Sequence, residues 1–205
     1  MSSPVERLRR GEAVDDDAFD ALFPERIAAL SRQHWTTVEV ARRAAALLTD
    51  GLDGARVVDV GSGVGKFVLV AALVTRGHVF TGVERRRELH DVAQSLQDAH
   101  AIEGVELVHG EAADVDFGAF DGFYFHNPFY ENIDPSVRID DDASLSRTRH
   151  TQEVLRMLGK IRAVRDGVRA VTHHGMGAAM PSSFRRVLVE PSRRLEMWVK
   201  GASPP

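Results

Sequence analysis

Apolar and polar positions change period once along this chain, near residue 54, and the change separates two kinds of element. The stretch "DDDAFDALFPERIAALSRQHWTTVEVARRAAALLTD" (15–50) carries apolar residues at helical spacing and predicts two helices. Pro24 kinks the first or resets its start, and "DGLDG" ends the second. Beyond it, "ARVVDV" (55–60), "HVFTGVE" (78–84), "VELVH" (105–109), "FDGFYFH" (120–126) and "VRAVTHH" (168–174) are short apolar or alternating runs of strand length. Helical patterns separate several of them: "GKFVLVAALVTRG", "RRRELHDVAQSLQDAH" and "SRTRHTQEVLRMLGKIRAVR". This alternation predicts βαβ units with right-handed crossovers, hence a doubly wound, Rossmann-like α/β fold with a mostly parallel sheet. At the end, "SFRRVLVE", "PSRR" and "LEMWVKG" read as strand, turn and strand, an antiparallel hairpin closing one sheet edge. The expected organisation is one compact unit, with an N-terminal helical cap over 1–50 and the Rossmann-like domain over 51–205.

Composition narrows the chemistry. With 205 residues and 43% hydrophobic content the chain suits one globular domain with a sizeable core. The absence of cysteine excludes disulfides, thiolate metal sites and a cysteine nucleophile. "MSSPVERLRR" lacks the apolar core of a signal peptide, and no apolar run approaches the roughly 20 residues of a membrane span. A soluble, cytoplasmic protein without a membrane partner is the expectation. The net charge of -4 hides an asymmetry: residues 1–142 carry 14 Lys/Arg against 26 Asp/Glu, and residues 143–205 carry 12 against 4. Those basic residues alternate with apolar ones in "RMLGKIRAVR" and "FRRVLVEPSRRLEMWVK" and form no block, which reads as a solvated helix and hairpin surface.

The candidate site begins at "VVDVGSGVGK" (57–66). A Walker-type phosphate loop needs a glycine where Val60 stands and Ser or Thr where Phe67 stands, so it fails twice. A dinucleotide fingerprint needs a small third residue for close helix packing, and after Gly61 and Gly63 that position holds Lys66. What fits is a turn D-x-G-x-G-x-G, with Asp59 at the end of the first strand and Gly61, Ser62, Gly63 and Gly65 letting backbone pass close to a ligand without phosphates.

In this turn and in later motifs the sequence resembles the class I S-adenosylmethionine-dependent methyltransferases, over roughly residues 34–200. The resemblance implies their fold and their cofactor, S-adenosyl-L-methionine, held by the loop from Asp59 to Gly65. Glu84, closing "GVE", would accept hydrogen bonds from the ribose hydroxyls. "VHGEAAD" would supply the adenine turn, with Glu111 and the backbone of Ala112 near the base. His34, Trp35 and Thr36, in "RQHWTT", would lie over the methionine end.

At the end of the fourth strand, Asn127, Pro128, Phe129 and Tyr130 resemble the N-P-P-Y/F motif of amino-methyltransferases, with Phe129 in place of the second proline. There the Asn side chain and a backbone carbonyl orient an amine, and the aromatic ring stacks on a planar acceptor. Rate comes mainly from positioning. "DVGSGVGK" with "GVE" is also similar to the Dot1-like histone lysine methyltransferases. His126 is a candidate proton acceptor. His173 and His174 are neighbours on one strand, where consecutive side chains point to opposite faces, so no metal site is expected. The function expected is methyl transfer to nitrogen of a protein side chain or small molecule. A DNA adenine enzyme would need a recognition region and a basic groove, which makes nucleic acid the alternative acceptor. A non-catalytic cofactor-binding regulator and a nicotinamide oxidoreductase are the contrasting classes. The sequence carries no indication of oligomeric state.

Overall fold

The computed structural model describes residues 2–126, 147–174 and 179–201. The N-terminal segment is more finely divided than its periodicity predicts. Helix α1 (Pro4–Arg9), which the hydrophobic pattern did not show, is built on a capping box: Ser3 Oγ accepts from Glu6 N–H at 3.2 Å, and Glu6 Oε2 accepts from Ser3 N–H at 2.9 Å. Pro4 at the first helical position sacrifices no helical donor. Residues 15–50 form four helices where two were expected: α2 (Asp16–Asp20), α3 (Glu25–Ala28), α4 (Ser31–His34) and α5 (Val38–Thr49). Pro24 restarts the chain as α3. The extended backbone of Trp35 and Thr37 separates α4 from α5, and the Thr37 hydroxyl caps α5 by accepting from Val40 N–H.

The strands lie where the alternating runs predict them: β1 (Arg56–Val60), β2 (Val79–Glu84), β3 (Val105–His109), β4 (Gly122–His126), β5 (Arg169–His173), β6 (Phe184–Glu190) and β7 (Leu195–Lys200). Between them run α6 (Lys66–Val74), α7 (Arg87–Ala99) and α8 (Arg147–Arg162). They form one sheet of order β3-β2-β1-β4-β5-β7-β6, parallel from β3 to β5, with β7 antiparallel to both β5 and β6. A register shift between Arg186 and Leu188 bends the edge strand β6.

Strand alternation divides the core between two faces. Val57, Phe80, Tyr124 and Val171 point toward α5 and α6, where Leu48, Phe67 and Val70 meet them. Val58, Phe123, Phe125 and Ala170 point the other way, toward Met157 and Ile161 of α8. Burying each large apolar side chain contributes about 1.5–3 kcal/mol. Because β1 is flanked by β2 on one side and β4 on the other, the chain crosses over at β1, and the carboxyl ends there form the crevice where open α/β sheets bind ligands. Among the described residues no helix is long and apolar enough to cross a membrane.

Candidate active site

The glycine turn between β1 and α6 is tied to the next strand before it meets any ligand. Gly61 N–H and Ser62 N–H both donate to the Val83 carbonyl, at 2.9 and 3.0 Å. Gly63 has φ +57, and a β-carbon there would stand 2.5 Å from Trp35 Cζ3, so conformation and space both demand glycine. Gly65, at φ +70, then starts α6.

Glu84 closes β2 beside this turn and is 4% exposed. Its Oε2 accepts from Gly63 N–H at 2.9 Å and its Oε1 from Arg86 N–H at 2.8 Å. Burial pushes its pKa up; those two bonds and the Arg86 and Arg85 charges pull the other way. Asp59, on the adjacent strand opposite Gly82, is fully enclosed, and burial first and the Glu84 charge second hold its pKa well above the usual carboxylate range. The two carboxylates that the sequence singles out thus sit at neighbouring strand ends. Glu111 is exposed and precedes a short 3-10 turn over Ala112–Asp114, while Gly110 N–H donates to the Glu84 carbonyl at 3.0 Å, bringing the turn after β3 alongside.

Trp35 covers Gly63 and donates its indole N–H to the Ile27 carbonyl at 3.3 Å. Thr36 turns toward β4: its hydroxyl lies 2.9 Å from Tyr124 Oη and 3.2 Å from His126 Nδ1. Tyr124 stacks on Phe67 at 3.9 Å between ring centroids, and its hydroxyl reaches His173 Nδ1 at 3.5 Å. Burial chiefly raises the Tyr124 pKa well above its ordinary value, so it stays a neutral hydroxyl.

His126 and His173 are register partners on β4 and β5, with rings 4.5 Å apart. Burial, then the neighbouring His174 and His34, lowers the His126 pKa to about 4. Burial, then His126, His174 and Arg194, lowers that of His173 to about 3. His174 is lowered by burial and by Arg194. All three rings are neutral at pH 7. His126 can therefore accept a hydrogen bond but is a weak proton acceptor compared with a base poised near neutrality. The alternation rule applied to His173 and His174 fails at the strand end. His174 has φ +59, and this left-handed turn brings its ring within 4.1 Å of His173. Asn127, Pro128, Phe129 and Tyr130, and the 130–145 segment after them, lie outside the described residues.

Lys66, which sequence reasoning used only to exclude other motifs, has a definite task. It is 2% exposed, and its ammonium donates to Asp16 Oδ1 at 2.7 Å and to Ser31 Oγ at 3.3 Å. Asp20 Oδ1 lies 2.6 Å away outside hydrogen-bond geometry, an attraction by charge. Asp16 Oδ1 also accepts from Val38 N–H at 2.8 Å. One lysine thus clamps α2 and the start of α5 onto the helix that begins at the glycine turn. The acidic run "DDDAFD" facing a lysine just after the glycines was the available signal.

No family model and no curated protein sequence matches the chain. Solved structures do. The structure of TrmN from Thermus thermophilus matches with a TM-score of 0.61 at 16% identity, over 85% of this chain and 52% of that one. Monomeric WbdD matches with a TM-score of 0.53 at 17% identity, over 80% of this chain and 40% of that one. The chain spans about half the length of the first and less of the second. At these identities the likeness is one of fold.

Proposed function

From the class I methyltransferase fold of this chain, we propose that it binds S-adenosylmethionine at the carboxyl ends of β1 and β2 and transfers a methyl group to a nitrogen nucleophile presented after β4. The observation that carries the reading is the Glu84 carboxylate, buried and held by the N–H groups of Gly63 and Arg86 beside a turn with no phosphate-binding lysine. An acceptor fixed in this way is suited to a ribose diol. Lys66, which a phosphate cradle would need, is spent on Asp16 and Asp20. Asp59, Ser62 and the 61–65 backbone would hold the rest of the group, with Trp35 backing the turn. When bound, the group supplies a methyl on a sulfonium. The chain's own part is to hold it, and to orient the acceptor lone pair through Asn127, with Tyr130 stacking on a planar acceptor.

A protein side chain or small molecule is the acceptor we favour. Much of the basic charge of residues 147–200 is already committed to the protein itself, in scattered places. Lys160 holds the carbonyls of Ala113 and Val115, Arg165 holds Asp121, and Arg169 donates to the carbonyls of Leu47 and Asp50. Arg186 pairs with Glu196, and Arg193 with Glu39 and Glu190. Charges held on different elements in this way are less available to line one groove. Calorimetry with S-adenosylhomocysteine, NADH and ATP tests the cofactor: the first should bind at micromolar strength and the others should not, and preferential NADH binding would sink the assignment. Tritiated methyl transfer into fractionated cell extract then separates protein, small-molecule and nucleic-acid acceptors. Salt-sensitive labelling of nucleic acid would overturn the preference.

A further inference from the structure

At the end of β5 a backbone rule is broken beside three imidazoles. His174 is a non-glycine residue at φ +59, a conformation that is strained for most side chains and that clusters at functional sites. Its consequence is to rotate a side chain that strand alternation would send to the far face. The His174 ring instead stands 4.1 Å from His173 and 5.6 Å from His126. One nitrogen from each of the three rings lies within 4.8 Å of the other two.

We propose that His126, His173 and His174 form a binding site for a divalent transition ion of the zinc class. Three imidazoles suit zinc, cobalt or nickel and not the oxygen-seeking magnesium or calcium. Tetrahedral bonds of about 2.0–2.1 Å set ligand nitrogens about 3.4 Å apart, so closing the present arrangement requires ring shifts on the order of 1 Å. Three protein ligands leave a fourth position for water or a substrate atom, the pattern of catalytic and not of structural zinc sites. Two rings are already oriented by outer partners: the Thr36 hydroxyl bonds His126 Nδ1, and the Tyr124 hydroxyl reaches His173 Nδ1. With Nδ1–H of each ring donating to its hydroxyl, Nε2 carries the lone pair that an ion can take.

Arg194 is the competitor. Its guanidinium donates to His174 Nδ1 at 3.1 Å, and a neutral imidazole has one such lone pair. An ion bound by His174 must displace that contact, whichever nitrogen it uses. Methyl transfer and the glycine turn play no part in this inference, and it stands or falls separately from them.

The test uses the whole chain, stripped with chelator and then titrated with Co²⁺ by visible absorption and with Zn²⁺ by calorimetry. One equivalent should bind at micromolar strength. His174→Gly suits the positive φ and keeps the fold, so its melting temperature should be no lower than that of the parent. It should nevertheless weaken the ion by more than the roughly 10- to 100-fold typical of losing an outer partner. His173→Ala should do the same, and Arg194→Gly, also at a position of positive φ, should tighten binding. No saturable binding below about 1 mM, wild-type affinity in either histidine variant, or no tightening in Arg194→Gly would each overturn the site. S-adenosylhomocysteine binding on the same preparations reports on the glycine turn, so failure of one reading is distinguishable from failure of the other.

Discussion

The two sides of the crossover at β1 bury opposite kinds of titratable group at the same edge of the sheet. Between β1 and β2 stand carboxylates, Asp59 and Glu84, whose pKa values burial raises. Between β4 and β5 stand imidazoles, His126 and His173, whose pKa values burial lowers to about 4 and about 3. Desolvation disfavours the charged form in each case, so the acids release their protons at higher pH and the bases lose theirs at lower pH than they would in water. The pH dependences are therefore opposed. The histidine contribution to stability is complete above the unfolded pKa of about 6.5 and is lost as pH falls toward the folded values; the carboxylate contribution is present at low pH and is lost as pH rises from about 4. A low-dielectric edge of this kind makes every added charge or donor from a ligand count for more than it would in water.

The sides also differ in how they are fastened, and the largest expected effect tests this. Lys66 anchors the carboxylate side to the cap through an ion cluster in which Lys66 and Asp20 are buried and Asp16 is half-buried. On the imidazole side, Arg169 reaches the C-terminal carbonyls of α5 from a less buried position. Removing one partner of a buried pair costs about 3–5 kcal/mol, because the other charge is stranded. Lys66→Ala should lower the urea unfolding free energy by about 3 kcal/mol, and Arg169→Ala by clearly less. A loss in Lys66→Ala no larger than that in Arg169→Ala would mean that the ion cluster does not fasten the cap more firmly than the Arg169 contacts do.

Next in size is the division of labour between the sides. If the β4 side orients the acceptor, Asn127→Ala should lower single-turnover methyl transfer by about 100-fold with cofactor affinity unchanged. Glu84→Ala should do the reverse, weakening S-adenosylhomocysteine by about 1–3 kcal/mol, the value of a hydrogen bond to a charged group. Calorimetry and transfer measured on both variants settle it: transfer undiminished in Asn127→Ala, or affinity undiminished in Glu84→Ala, removes that residue from the scheme.

The same contrast explains what the sequence made legible. The carboxylate side could be read because its demands are on backbone: Gly63 must take a left-handed φ under Trp35, and glycine alone answers both demands. The strands were legible because each keeps one period from end to end, and the closing hairpin because a turn separates two such runs. The imidazole side was not, since His174 leaves the strand by a positive φ that no local residue type announces. The Lys66 clasp joins residues 46 and 50 positions apart in sequence, a pairing that periodicity does not contain. The cap broke into short helices because Pro24 and the extended Trp35–Thr37 backbone interrupt a continuous apolar pattern.

The smallest expected effect is also the one that sets the two sides apart by sign. Asp59 is enclosed, and its charge is opposed both by burial and by Glu84. Between the unfolded pKa of about 3.9 and its raised folded value, the folded chain holds one proton that the unfolded chain has released, so stability falls as pH rises, by at most about 1.4 kcal/mol per pH unit. Asp59→Asn removes the proton and the repulsion while keeping size and shape. The variant should match the parent near pH 4 and exceed it at pH 7 by about 0.5–2 kcal/mol, the usual gain when a functional group is traded for stability. Substitution on the imidazole side cannot give this sign, because there stability rises with pH across the acid range. Urea unfolding of both proteins at pH 4, 5.5 and 7 measures the difference. A gap that is absent at pH 7, or that shrinks as pH rises, would show that Asp59 is ionised in the folded chain and that the two sides do not bury their charges in opposite senses.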